Sequence, residues 1–436
     1  MNLFALNSPS ITGEVLCPGD KSISQRAVII GSLINQDMTI EGFLNGEDPI
    51  STINALNAIG SAIEINNTSV TIKQRETAFI SPKEDVDLGN SGTGMRLMMG
   101  LISSLGINVR LVGDKSLSKR PMLRVSEPLN SMGANILCRD GMPPVQITKG
   151  NIKNNFSYDM PIASAQVKSS IILAALAANE SVTVKEKYQT RNHTEKMIDY
   201  FGGSIKSEII DQENVIYLSP SKLDITKPYK VVGDFSSAAF LIVAGLIAKE
   251  SNIIIKNVGI NSTRSGLIDI LKLMGGEISI RNQEIICNEE VADIHVQSSA
   301  LKGINIKGSI IPNIIDEIPV LSIAAAFADG QTTISEASEL RVKESDRLSA
   351  ISYGLNSIGK SHELFKDGIK INGSKDDISG IPEIDSFGDH RIAMSFLVAS
   401  LRSSEGIHVR DCANIFTSFP GFIDVMQSLG VSINET

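Results

Sequence analysis

The segment Arg341-Val342-Lys343-Glu344-Ser345-Asp346-Arg347 brackets a carboxylate with two cations four residues apart. On a helix, Lys343 and Arg347 share one face, and Glu344 is held beside them. Two positive charges then bind an acid while a carboxyl handles a proton. A solvated charged helix face has the same spacing, and Glu339 and Glu344 are available to satisfy the cations locally. A second pair of acids, Asp316-Glu317, stands just before the apolar segment PVLSIAAAFADG. It reads either as a helix cap or as a general base.

Four predicted helices open on small polar residues. Ser22 begins SISQRAVIIGSLI, Asn90-Ser91-Gly92-Thr93-Gly94 begins another, Ser164-Ala165-Gln166 a third, and Asp389-His390-Arg391 a fourth. Such turns leave amide N–H groups exposed, and the helix dipole favours an anion there. One of them alone is an ordinary cap. Several together, with basic residues in or beside them, point to multiply anionic small ligands. Arg120 precedes Pro121, which keeps it out of a helix. Its guanidinium is placed to meet a phosphate with two donors. Arg191 opens a further loop-to-helix turn, Arg191-Asn192-His193-Thr194-Glu195.

The elements that must position these groups show a repeat. An amphipathic helix pattern ends at Gly60, Gly133, Gly202, Gly275, Gly359 and Gly430, 69 to 84 residues apart. A helix stopped by a glycine and followed at once by a strand predicts small α/β units. Strands are predicted at 69–73, 109–112, 181–184, 252–255 and 332–334. A second echo relates Gly19-Asp20-Lys21-Ser22 to Gly233-Asp234-Phe235-Ser236. In the second copy Phe235 and Phe240 take the places of Lys21 and Arg26. The fold class is therefore α/β with six similar units in two lobes. Residues 21–233 form the first lobe; 1–20 plus 234–436 form the second, with 1–18 contributing a strand to it.

The chain has 436 residues, a net charge of −9 and no Trp, which excludes a general nucleic-acid surface. Local basic islands in an acidic chain suit a small anion held in a cleft. Cys17, Cys138, Cys287 and Cys412 lack metal-type spacing and read as reduced cytosolic thiols. No signal peptide or membrane-length apolar run is visible, so a cytoplasmic protein is expected.

LGNSGTGMR, SLSKRP, SAQVKS, RVKESDR and GDHR, in this order, resemble the 5-enolpyruvylshikimate-3-phosphate synthases. The resemblance runs from PGDKSISQRA to TSFP. It implies two lobes of three βαβαββ units each, the inside-out α/β barrel of the enolpyruvyl transferases, with substrates in the cleft between lobes. It also implies transfer of enolpyruvate from phosphoenolpyruvate to shikimate 3-phosphate without metal or cofactor, by a monomer binding neither nucleic acid nor membrane. By the resemblance, Lys21, Ser22 and Arg26 contact shikimate 3-phosphate, and Lys21 also reaches phosphoenolpyruvate. Ser164, Ala165, Gln166 and Arg191 hold the shikimate phosphate side, with Lys343 alongside. Gly92 and Arg120 face phosphoenolpyruvate, with Asn90 supporting and Gln166 bridging. Arg347 and Arg391 grip its carboxylate, and His390 joins the binding set. Glu344 is the implied proton donor and Asp316 the acceptor, with Lys21 counted among the catalytic groups. Glyphosate is implied as a competitor at Gly92, whose missing side chain leaves room.

Thr417 stands where some members carry a Lys, so no cation is assigned there. Together with Ala165 and Arg191 this points to the class II branch. The nearest alternative is UDP-N-acetylglucosamine enolpyruvyl transferase, which carries a Cys in the loop corresponding to Leu117-Ser118-Lys119-Arg120; this chain has none there. An RNA-end-processing protein is disfavoured by the acidic charge and the scarcity of stacking aromatics.

Overall fold

A computed structural model describes all residues except Asn7, Pro9 and Thr226. Each glycine of the sequence repeat ends a helix with a left-handed backbone: φ is 103° at Gly60, 109° at Gly133, 77° at Gly202, 94° at Gly275, 71° at Gly359 and 99° at Gly430. Only glycine adopts that conformation without penalty. A strand follows in every case.

One repeat shows the plan of all six. The strand Val86–Asp87 leads to the helix Gly92–Ile102, then to the strand Val109–Val112. The helix Leu123–Ser131 follows, and a hairpin, Asn135–Arg139 with Met142–Thr148, ends the repeat. The first two strands are parallel, so a crossover helix must join them. The hairpin adds antiparallel, with its second strand inside and its first at the edge. All six four-stranded sheets have this order.

The two helices of a repeat differ in pattern and therefore in burial. In Phe235–Ile247, Ile318–Ala326 and His390–Ala399 every residue is buried. The first two are apolar all round, as such burial requires. These three pack on one another. The helices Lys21–Leu33, Gly92–Ile102 and Ala165–Ala178 hold the same place in the other three repeats, and Gly92–Ile102 packs against both others. The second helix of each repeat is amphipathic, covers its sheet on one face, and ends at the repeat glycine.

The chain divides into two compact units. One comprises Gly19–Val232 with Ile285–Glu289; the other comprises Met1–Pro18, Gly233–Glu284 and Glu290–Thr436. They are called the first and second units below. Residues 285–289, the turn between the strands Glu277–Ile286 and Glu289–Gln297, belong with the first unit, which sequence patterning did not anticipate. Residues 1–18 were expected to give one strand and give two. Leu3–Ala5 sits between Ile407–Arg410 and Ile433–Glu435, antiparallel to both. Ser10–Leu16 lies parallel to Glu250–Gly259. In the first unit Tyr229–Lys230 plays the corresponding part, parallel to Met38–Glu41. Both units thus complete a repeat with a strand from the far end of their sequence. Among the described residues no single helix is long and apolar enough to cross a membrane.

Candidate active site

Two clusters of the expected residues form, one in each unit. In the second unit the expectation of a shared helix face for Lys343 and Arg347 is wrong. Asp346 caps the helix Arg347–Ser357 by accepting from the Ser349 amide at 3.1 Å, so the helix begins at Arg347. Lys343 is extended, with φ −85° and ψ −152°, at the end of the short 3-10 helix Ser338–Val342. The two cations meet at a carboxylate instead: Lys343 Nζ and Arg347 Nη1 each lie 3.2 Å from Asp316 Oδ1. Glu344 pairs with Arg347 Nη2.

Arg347 is almost wholly buried and carries a third acid. Its Nε donates to Asp389 Oδ2 at 2.8 Å and its Nη2 to Asp389 Oδ1 at 3.4 Å. Burial disfavours the charge, but Asp389, Glu344 and Asp316 more than offset it, so the guanidinium is held above its ordinary pKa. Asp389 also accepts from Ser345 Oγ at 3.1 Å and caps the next helix through the Arg391 amide at 2.9 Å. Arg391 Nη1 donates to the backbone carbonyl of Asp316 at 3.0 Å. The acid after Asp316, Glu317, occupies the N-cap position of Ile318–Ala326 but makes no side-chain cap bond, so the cap reading fails for it. His390 is buried in the first turn of its helix. Thr417 is buried too, its hydroxyl donating to the Asn414 carbonyl at 2.7 Å and closing a 3-10 turn.

In the first unit the helix expected to begin at Ser22 is capped one turn position earlier. Asp20 accepts from the Ile23 amide at 2.8 Å, which makes Lys21 the first helical residue. Lys21 Nζ is 2.9 Å from Asp48 Oδ2. Arg26 is buried and held on three nitrogens: Nε donates to Thr194 Oγ1 at 2.8 Å, Nη1 to the Ser22 carbonyl at 3.1 Å and Nη2 to Ser169 Oγ at 3.1 Å.

The turn around Gly92 is tied to Arg120 and Gln166. Asn90 accepts from Arg120 Nη2 at 2.6 Å and donates to Asp114 at 2.7 Å. Arg120 is extended before Pro121, with φ −86° and ψ 138°. Gln166 accepts from Arg96 Nη1 at 2.6 Å and donates to Thr93 Oγ1 at 2.9 Å. These contacts need the helices Gly92–Ile102 and Ala165–Ala178 to approach closely. Gly100 permits it: a Cβ there would lie 2.2 Å from the Ser170 carbonyl oxygen. Ser164 caps the second of these helices from the Val167 amide, and Ala165 is its first residue.

Arg191 is half-buried in the loop before His193–Tyr200. That loop is clamped from below by Lys168, which is fully buried between Glu186 at 2.9 Å and Glu195 at 2.8 Å. Burial lowers the Lys168 pKa, but Glu195 and Glu186 raise it further, so the amine stays charged. Lys168 also donates to the Thr190 carbonyl at 3.2 Å, while Glu186 accepts the Thr190 amide and hydroxyl.

Sequence reasoning passed over Asp389, Arg96, Asp48 and Asp114 as partners. Asp389 was legible only as a helix start. The usable signal was the arginine beside Asp346 at the start of a helix, since an arginine carried inside with that helix needs a buried acid. Among the described residues no cluster of His, Cys, Asp or Glu is arranged to hold a metal ion.

The fold has solved counterparts. The enolpyruvyl transferase NikO of Streptomyces tendae superposes with a TM-score of 0.78 over 99% of this chain and 98% of its own, at 16% identity. That likeness shows the fold alone, and it defines the class: the enolpyruvyl transferase fold. The EPSP synthase of Acinetobacter baumannii superposes with a TM-score of 0.85 over the whole of both chains, at 39% identity. The family model described as EPSP synthase (3-phosphoshikimate 1-carboxyvinyltransferase) matches residues 7–426. The 3-phosphoshikimate 1-carboxyvinyltransferase of Legionella pneumophila (strain Corby) is 44% identical, covering 100% of this chain and 99% of the relative. That of Oceanobacillus iheyensis is also 44% identical, covering 98% and 100%. The chain belongs to the EPSP synthase family, and it is a transferase.

Proposed function

We propose that this chain transfers the enolpyruvyl group of phosphoenolpyruvate to the 5-hydroxyl of shikimate 3-phosphate, on the route to chorismate and the aromatic amino acids. The observation that carries the assignment of roles is the Asp316 carboxylate held by Lys343 and Arg347, with Glu344 on the same guanidinium. Two cations lie 3.2 Å from Asp316, which is placed to act as the base for the 5-hydroxyl. As that oxygen attacks C2 of phosphoenolpyruvate, Asp316 takes its proton and Glu344 delivers one to the methylene carbon. Glu344 then takes a proton back from the new methyl group of the tetrahedral intermediate as the C2–O bond breaks and phosphate leaves with that bond's electrons. Fixed cations stabilise the charge on the departing phosphate.

All three acids around Arg347 compete with a substrate carboxylate for it. Binding of phosphoenolpyruvate there displaces Glu344 and frees it for proton transfer. Lys21, Ser22, Arg26, Ser164, Ala165, Gln166 and Arg191 serve shikimate 3-phosphate, Arg26 through the Ser169–Thr194 network it already holds. UDP-N-acetylglucosamine is not favoured as acceptor, because full-length relatives are named for the shikimate substrate. A phosphate-release assay with phosphoenolpyruvate and either acceptor tests the reading. Release with shikimate 3-phosphate and none with the nucleotide sugar is expected; the reverse refutes it.

Gly92 gives a second test. A Cβ at this position would lie 2.9 Å from Arg120 Nη1 and 3.4 Å from Arg96 Nη1. Arg120 is tethered to Asn90, so Gly92→Ala pushes a held guanidinium aside. The expected results are a rise of about tenfold in the KM for phosphoenolpyruvate, the scale of one displaced charge-assisted contact, and weaker inhibition by glyphosate. An unchanged KM and unchanged inhibition would separate Gly92 from the phosphoenolpyruvate site.

A further inference from the structure

A buried carboxylate stands directly behind Arg391, and the mechanism above does not use it. Glu317 has a side chain with no exposed surface, yet it makes no cap bond to the helix it precedes. Its Oε1 accepts from Ser236 Oγ and lies 3.6 Å from Arg391 Nη1. Its Oε2 has no hydrogen-bond partner among the described residues. A buried carboxyl with an unsatisfied oxygen costs stability, so packing alone does not account for it.

The direction of its main hydrogen bond is determined. Arg264 Nη2 donates to Ser236 Oγ at 2.9 Å and to Asp234 Oδ1 at 2.8 Å. A serine hydroxyl has one proton to give. With Arg264 donating to its oxygen, that proton points to Glu317. Asp234 in turn caps the helix Phe235–Ile247 from the Ser236 amide at 2.7 Å. A buried file of alternating acceptors and donors therefore runs Asp234, Arg264, Ser236, Glu317, Arg391.

At the end of that file, Arg391 Nη1 is shared between Glu317 and the Asp316 carbonyl. Nε and Nη2 of Arg391 donate to no other described residue. One corner of the guanidinium is thus anchored, and its remaining donors form the fork that a carboxylate takes with two hydrogen bonds. Arg347 differs, since its nitrogens are all occupied by acids.

We infer that Glu317 is a positioning residue, which orients Arg391 to receive the carboxylate of phosphoenolpyruvate and ties that orientation to the backbone of Asp316. The inference rests on the proposed function, and Ser236 extends it as the group that orients Glu317.

The test is steady-state kinetics of Glu317→Gln, which keeps the shape and removes the charge. The KM for phosphoenolpyruvate should rise about tenfold, and that for shikimate 3-phosphate by less than about twofold. In an Arg391→Lys background, Glu317→Gln should add less than about twofold, because both changes disable one unit. Equal losses for both substrates, or effects that multiply independently of Arg391, mark a role in folding alone and overturn the inference. So does an unchanged KM for phosphoenolpyruvate in a wild-type background that turns over. A wild-type protein that releases no phosphate from the two substrates defeats the proposed function itself. Should Glu317→Gln fail to fold, Ser236→Ala carries the same selective readout: a rise confined to phosphoenolpyruvate supports the inference and its absence overturns it.

Discussion

Glu344→Gln is expected to turn over roughly 10²- to 10⁴-fold more slowly than wild type, the range lost with a general acid. Shikimate 3-phosphate should still bind. Glutamine keeps the length and can still meet Arg347 Nη2 through its carbonyl oxygen, so the local geometry survives. What it lacks is a proton to give to the methylene carbon of phosphoenolpyruvate. The loss should fall on kcat and kcat/KM alike, since protonation belongs to the transition state and not to binding. Single-turnover kinetics with shikimate 3-phosphate binding followed by titration calorimetry checks both halves. A variant within about threefold of wild-type turnover assigns the proton to another group.

Asp389→Asn should lower stability by about 3 kcal/mol, the low end for breaking one partner of a buried charge pair. Asparagine caps helices as well as aspartate does, so the bond to the Arg391 amide is retained. The loss comes from Arg347, which is 1% exposed and would keep only Glu344 and Asp316 as counter-charges. Its guanidinium would then draw those two acids closer, and both are the groups assigned to proton transfer. A fall in kcat should accompany the fall in the urea midpoint. Ser345→Ala is the control, because it removes a single hydrogen bond to Asp389 and leaves the charges in place. A midpoint for Asp389→Asn no lower than that of Ser345→Ala would show that Arg347 does not depend on this acid.

The residues assigned to chemistry were all named from motifs, but their partners were not. Lys343 and Arg347 were expected to meet along a helix, and Asp346 prevents that by starting the helix between them. The two cations do meet, but at Asp316 and not along a helix face. Asp316-Glu317 read as a cap or a general base, and Glu317 makes no cap bond; its partner Ser236 is 81 residues away. The Lys168 clamp under Arg191 was invisible, since a lysine in SAQVKS reads as a solvated helix residue until the helix is known to be buried.

What the sequence alone determined is local. Glycines at six matching positions read as helix stops, because glycine takes the left-handed backbone there without penalty. Helices apolar on every side can only be interior. Ser164 and Asp389 precede helices whose amides they satisfy. These are consequences of one or two turns of chain. Tertiary structure decided the rest: which strands the first residues join, that the tip at 285–289 goes with the first unit, and which acid each buried cation finds. Arg347 meets Asp389 across 42 residues and Lys343 meets Asp316 across 27. Such pairs form because each unit packs three buried helices together, and a charge carried inside with them must take whatever opposite charge arrives at its level.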